Sequence, residues 1–229
     1  MYYLVQKGWM RLANNKDKKN MPPVYRELQE RKFIYKYELA VEEIQNYITA
    51  VKDQLSRECG RDIVEFQCSR IKSAESIVRK LTKKGYPISV KKASEKLNDI
   101  AGVRIVCDYT DDIYAIRKRL LEEEDLILVK EKDFIKTPKK SGYRSLHLIF
   151  EVPVILNKQQ EPVRVEVQLR TVIMDFWARL DHQTRYKHNS LSIKEIFHEL
   201  NECAAIGEQM DKKMLQTRRF IEKNSEHSL

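Results

Sequence analysis

Residues 163–170 read VRVEVQLR, and the alternation is unbroken. Val163, Val165, Val167 and Leu169 fall on one side; Arg164, Glu166, Gln168 and Arg170 fall on the other. A period of two is that of a β-strand with one buried face. Just upstream, RSLHLIFEV (144–152) puts Leu146, Leu148, Phe150 and Val152 on one side, with Ser145 and His147 opposite. The intervening VILNKQQEP reads as a turn, short enough for a hairpin, so the two strands are expected to be antiparallel neighbours.

Further out, LNDIAGVRIVCDY (97–109) alternates Val103, Ile105 and Cys107 with Arg104, Val106 and Asp108, a mostly buried strand entered just after Asp99. DDIYAIRKRLLEEE is an amphipathic helix expected to be capped by Asp111 or Asp112. LILVKE reads as a short strand. KDFIKTPKKSG (132–142), with its lysines and helix breakers, reads as a mobile loop. Helical spacing predicts helices over about 25–57, 69–84, 172–186 and 193–220. In the second of these, Ile71, Ala74, Val78 and Leu81 form the core stripe, and Gly85 and Pro87 end it. In the last, the stripe is Ile196, Leu200, Ala204, Gly207, Met210 and Met214. NNKDKKNMPP (14–23) reads as a polar linker. The fold class is therefore α+β: a mixed sheet of about five strands flanked by helices, with helical N- and C-terminal extensions. The expected division is an extension over 1–30, a central domain over 31–190 and a C-terminal helix over 191–229, suited to an oligomer interface.

The 229-residue chain is 42% hydrophobic and 34% charged, which fits a packed core under a charged surface rather than a disordered segment. A net charge of +9 suits an anionic partner such as nucleic acid, a nucleotide or an acidic membrane; simple solubility explains it as well. Cys59, Cys68, Cys107 and Cys203 form no CxxC pair and read as reduced thiols. No apolar run is long enough to span a bilayer, and MYYLVQKGWM is too short and polar for a signal peptide. A cytoplasmic protein without membrane attachment is expected.

The polar residues then decide between chemistries. Lys72, Ser76, Lys80 and Lys83 share one face of the 69–84 helix, with Arg70 at its start. Such a stripe is either a solvated face or a row for an anion. Glu166 between Arg164 and Arg170, with Gln168 beside it, either pairs across strands or faces a substrate. Asp99 is either a turn residue or a second carboxylate. Two carboxylates from separate strands suit Mg²⁺, which prefers oxygen ligands and keeps waters and phosphates in its shell. KKSGYRSLH (139–147) adds cations, an aromatic ring and an imidazole at a strand entrance. Tyr143 could stack on a base or simply pack in the hairpin; His147 could meet phosphate or be a satisfied sheet histidine. There is no GxxxxGK[ST], GxGxxG, GxSxG or HExxH motif.

Four blocks in order resemble the RelA/SpoT-type alarmone synthetases: FQCSRIKSAESIVRKLTKKG, LNDIAGVRIVC, DFIKTPKKSGYRSLHLIFEVP and VEVQLRTVIMDFWARLDHQTRYK. The resemblance covers roughly residues 35–215, and the length is similar to that of the small, single-domain members. It implies a nucleotidyltransferase-like synthetase domain that moves pyrophosphate from ATP to the 3′-hydroxyl of GDP or GTP, making ppGpp or pppGpp and AMP. Carried over position by position, it implies ATP contacts at Arg70, Lys72, Ser76, Lys80, Lys83 and Arg104. It implies Asp99 and Glu166 as Mg²⁺ and catalytic carboxylates, with Glu166 helping to deprotonate the 3′-hydroxyl. Tyr143 is implied to stack on guanine, with Lys132, Lys139, Arg144, His147, Gln168 and Arg170 near the acceptor or its phosphates. Asp175 stands where some relatives carry asparagine near the guanine. Gln67 and Cys68 depart from the pattern with which some small synthetases bind a regulatory alarmone. Relatives are commonly homotetramers. No His-Asp pair of the hydrolase type occurs, so hydrolysis is not expected. Two other classes fit parts of the pattern: a basic module binding single-stranded RNA, and an NMP-transferring nucleotidyltransferase.

Overall fold

The structure, a computed structural model, describes residues 23–187 and 193–225. The N-terminal stretch and most of the expected linker lie outside the described residues. Two compact units emerge, each assembled from separate segments.

The smaller unit comprises residues 23–35 and 72–97. It holds α1 (Pro23–Gln29), the first turn of α2 (Arg31–Cys59), α3 (Ala74–Lys83) and α4 (Val90–Lys96). Thus the single helix expected over 25–57 is two, broken at Glu30. Helix α3 opens at Ser73, an extended residue whose hydroxyl accepts from the Ser76 amide at 3.4 Å. Ala74, Ile77, Val78 and Leu81 are its buried stripe, and Gly85 at φ +69° follows its end. Helix α4, capped in the same way by Ser89, has no counterpart in the sequence reading. Its seven residues are too few for a periodic signal. α1 packs against both α3 and α4.

The larger unit, residues 36–71 and 98–225, contains the sheet. Its strands are β1 (Val64–Ile71), β2 (Ala101–Cys107), β3 (Ile127–Asp133), β4 (Leu146–Leu156) and β5 (Gln159–Thr171). The order is β1-β2-β5-β4-β3, with β2 and β5 parallel and every other pair antiparallel. The β4–β5 hairpin turns on Asn157 and Lys158, both at positive φ. Helices α5 (Thr110–Leu120) and α6 (Val172–Lys187) pack on β2 and β5; α7 (Ile193–Ser225) packs on α5 and α6. The alternating valines of β5 are buried, as are Leu146, Leu148, Phe150 and Val152 of β4. In α2 the stripe Ala40, Ile44, Ile48, Val51 and Leu55 is buried too.

Four expectations change. The helix expected from Ser69 begins at Ala74, and Ser69 and Arg70 belong to β1, paired with Val103 and Gly102. Pairing along β2 overrides the helical pattern there, since an edge strand needs only one neighbour. Helix α5 starts after Tyr109 without a side-chain cap. Asp111 and Asp112 lie in its first turn and bind Arg218 and Arg61 at 2.6 Å. Ser145, expected on the polar side with His147, is fully buried and donates to the Leu169 carbonyl. In α7 the inward stripe is Leu200, Ala204, Gly207, Asp211 and Arg218, whereas Met210 and Met214 are exposed.

The 132–142 segment is tied by its own hydrogen bonds. Asp133 accepts from the Ile135 and Lys136 amides, the Lys139 amide donates to the Tyr143 carbonyl, and the Gly142 amide donates to Lys139. All four cysteines are free. Among the described residues no helix is long and apolar enough to cross a membrane.

Candidate active site

Strand register builds the site. Partners directly across a sheet share a face, so one row runs Lys132, His147, Gln168, Arg104 and Cys68 across all five strands. In the next row Glu166 of β5 lies beside Gly102 of β2, which lies beside Arg70 of β1. A Cβ on Gly102 would come within 3.6 Å of the Glu166 carbonyl and 4.0 Å of the Arg70 side chain. Both are ordinary van der Waals distances, so a methyl group would fit there, between the carboxylate strand and this arginine.

Within the larger unit the side chains form a closed hydrogen-bonded chain. Arg170 donates to the Tyr143 hydroxyl oxygen at 2.7 Å and to the Gln168 carbonyl at 3.1 Å. Gln168 donates to Glu166 Oε2 at 2.7 Å. His147 Nδ1 lies 3.1 Å from Glu166 Oε1, and its Nε2 lies 2.7 Å from the Tyr143 hydroxyl. An ionised carboxylate only accepts, so the proton between His147 and Glu166 sits on Nδ1. Nε2 then accepts from Tyr143, and every group in the ring has a partner. Burial alone would raise the Glu166 pKa. The hydrogen bond and electrostatic pull of His147, the Gln168 amide and the Arg70 guanidinium outweigh it and hold the carboxyl at about 2.

Aromatic and cationic groups surround Tyr143. Phe134, His147 and Trp177 contact it at ring-centroid distances of 6.0, 5.8 and 6.4 Å. The Lys139 ammonium stands 4.4 Å from the Tyr143 centroid and 4.5 Å from that of Phe134. Burial, then the Lys132 charge, lowers the Lys139 pKa. Phe134, absent from the sequence reading, therefore forms the far wall of this cluster. Its signal was a lone aromatic residue in a polar loop.

Asp175 lies at the start of α6. Its side chain is 1% exposed and lies 3.1 Å from Arg170, 3.2 Å from Arg104 and 3.2 Å from Arg179. Three guanidinium groups thus enclose this acid, while its Oδ2 has no hydrogen-bond partner among the described residues. Burial, then the repulsion of Arg170, lowers the Arg104 pKa. Arg144 is buried, and its guanidinium meets Asp211 of α7 at 3.3 Å.

A family profile described as a region found in RelA / SpoT proteins matches residues 69–191, the span from the end of β1 through β2 to β5 and α6. The chain belongs to the RelA/SpoT family. Over 186 residues it is 43% identical to the GTP pyrophosphokinase YwaC of Bacillus subtilis, covering 81% of this chain and 89% of that one. Over 190 residues it is 31% identical to the GTP pyrophosphokinase YjbM of the same organism, covering 83% and 89%. Among solved structures, small alarmone synthetase 1 of B. subtilis bound to its product pppGpp matches with TM-score 0.76 at 30% identity, covering 85% of this chain and 98% of that one. Small alarmone synthetase 2 of B. subtilis matches with TM-score 0.71 at 43% identity, covering 80% and 95%. The mixed five-stranded sheet with helical ends is thus the fold of this RelA/SpoT group.

Of the family-implied positions, the larger unit gathers Lys132, Lys139, Tyr143, His147, Glu166, Gln168, Arg170, Asp175 and Arg104, with Arg70 one strand beyond Gly102. Asp99 lies two residues before β2. Lys72, Ser76, Lys80 and Lys83 belong to the smaller unit, the last three on α3.

Proposed function

We propose that this chain is a GTP/GDP 3′-pyrophosphokinase that transfers the β,γ-pyrophosphate of ATP to the 3′-hydroxyl of GDP or GTP. The observation that carries the reading is the half-buried Glu166 carboxyl held between His147 and Gln168 beside Tyr143, in a chain 43% identical to a GTP pyrophosphokinase. The 3′-oxygen attacks the β-phosphorus, the bond from that phosphorus to the α,β-bridging oxygen breaks, and AMP leaves. Glu166 accepts the hydroxyl proton. Arg70, Lys72, Ser76, Lys80, Lys83 and Arg104 hold the ATP phosphates, and Lys132, His147, Gln168 and Arg170 hold the acceptor. Phosphoryl transfer asks little covalent chemistry of a protein and much positioning and positive charge, which is what this set offers.

A guanine stacked on Tyr143 takes the place of Lys139 over the ring and frees that ammonium to meet phosphate. Asp175 orients Arg104 and Arg170 and stands near the guanine, as the family resemblance implies.

Among the described residues no group of three or more His, Cys, Asp or Glu side chains is placed to hold a metal. Two carboxylate oxygen donors, Asp99 and a Glu166 kept ionised, still fit Mg²⁺, which takes its other ligands from water and substrate phosphates. Bound there, Mg²⁺ would neutralise charge on the transferring phosphates.

The synthetase domain is taken as 31–190, preceded by the 1–30 extension and followed by the C-terminal segment 191–229 that contains α7, in a cytoplasmic protein. The exposed Ile206, Met210 and Met214 on α7 support a homo-oligomer, a tetramer by family resemblance.

Incubation with γ-³²P-ATP, GDP and Mg²⁺ tests the reading. Label in guanosine tetraphosphate is expected. Label released only as pyrophosphate would mean NMP transfer, and tight RNA binding without turnover would mean a basic RNA-binding module.

A further inference from the structure

The turn that presents Tyr143 does not stand alone on the sheet; it is seated on the C-terminal helix. Gly142, at φ +82°, is so close to α7 that a Cβ there would fall 2.6 Å from the Ala204 Cβ. On the adjacent side of the turn, Arg144 sends its guanidinium to Asp211, about two helical turns beyond Ala204 along the same inward stripe. Both side chains of that pair are nearly excluded from solvent, at 9% and 3% exposed. The Thr171 side chain, at the end of β5, also stands against Asp211 and favours its carboxylate form. Trp177, which contacts Tyr143, donates its indole N–H to the Leu200 carbonyl of α7 at 2.8 Å. Taking two charges out of water is unfavourable unless geometry compensates, so a buried pair is weak evidence for stability alone. Here it joins the segment bearing Tyr143 to the end of β5, one residue after Arg170 and three after Gln168, through one carboxylate.

We propose that Asp211 is a positioning residue for the acceptor nucleotide: by holding Arg144 and Thr171 it fixes the 139–145 turn, and with it Tyr143, against α7. The inference rests on the reading above in which Tyr143 meets guanine. It also gives Arg144 a different part from the phosphate contact expected from sequence. Arg144 is a strut between turn and helix, and through it α7 belongs to the acceptor side functionally.

The two roles for Arg144 separate in Asp211→Asn. A direct phosphate contact by Arg144 survives that change; a strut does not. Two readouts are taken on the full-length protein: hydrogen exchange of the 139–145 amides without nucleotide, and separate equilibrium affinities for GDP and a non-hydrolysable ATP analogue. Asp211→Asn is expected to speed exchange at Lys139 and Gly142 while the 200–224 amides of α7 stay protected. GDP affinity should fall by roughly ten-fold, the scale of one hydrogen bond to a charged group, with ATP affinity within about two-fold. Asp211→Glu, which keeps the charge, should recover part of the GDP affinity. Unchanged exchange in the turn, or equal losses for both nucleotides, overturns the proposal. Should Asp211→Asn fail to fold, Arg144→Gln answers through exchange alone: faster exchange in the turn without nucleotide marks a strut, unchanged exchange a contact residue. Failure of the functional reading shows up elsewhere, as a wild-type protein that makes no labelled guanosine tetraphosphate while binding neither nucleotide.

Discussion

Glu166 sits where two demands conflict. A carboxyl held at about 2 is ionised at any working pH, yet so acidic a group is a feeble base. The conflict is resolved if the acceptor ribose takes over a hydrogen bond now given by His147 or Gln168, because each lost donor raises the basicity of the carboxylate. Glu166→Gln keeps the shape and removes the proton acceptor; pyrophosphate transfer should be abolished in the label assay, with ATP-analogue affinity largely unchanged by calorimetry. The same residue predicts a pH effect. Its folded pKa lies below its ordinary value of 4.5, so its contribution to stability is complete above that value and is lost as pH falls toward 2. Denaturant titrations at pH 6 and pH 3 should therefore find the stability gap between wild type and Glu166→Gln narrowing at the acid pH; a constant gap would contradict the network. Tyr143→Ala should weaken GDP far more than ATP, by about 1–3 kcal/mol if stacking is lost. Equal weakening, measured by equilibrium binding of each nucleotide, would count against stacking.

At the scale of elements, the strands were the easiest to read and the edges the hardest. β5 alternates buried and half-buried residues from Val163 to Leu169, so its period of two is plain, and β4 keeps Leu146, Leu148, Phe150 and Val152 buried at the same period. β1 has one neighbour, and Glu65, Phe66 and Arg70 are exposed along it, so its alternation is blurred and a neighbouring helix pattern ran into it. The turn between β3 and β4 depends on a glycine in a left-handed conformation with a helix at its back. Gly142→Ala meets both obstacles, the positive φ and the Ala204 side chain, and should destabilise the fold by about 1–3 kcal/mol. Thermal unfolding measures this, and a melting temperature within a degree of wild type would mean that α7 yields to the turn.

Across the whole molecule, α7 is the least conventional piece. It turns Asp211 and Arg218 inward and Ile206, Met210, Met214, Phe220 and Ile221 outward. An apolar outer face on a long helix suits a second copy of the chain. Met210→Glu should lower the mass seen by light scattering without changing the helical circular dichroism; an unaltered mass would place the subunit contact elsewhere. By itself the sequence determined the α+β class, the β4–β5 hairpin, the buried side of each central strand and the polar row containing Glu166, Gln168 and Arg170. These follow from local periodicity, which every residue of a half-buried strand repeats. Only the tertiary structure decided that Arg144 turns to Asp211, 67 positions away, that Asp175 is enclosed by Arg104, Arg170 and Arg179, and that the inward stripe of α7 is partly charged. Spacing along a chain states which face a side chain shares with its neighbours. It does not state which distant charge will neutralise it, and for a buried ion that partner decides its role.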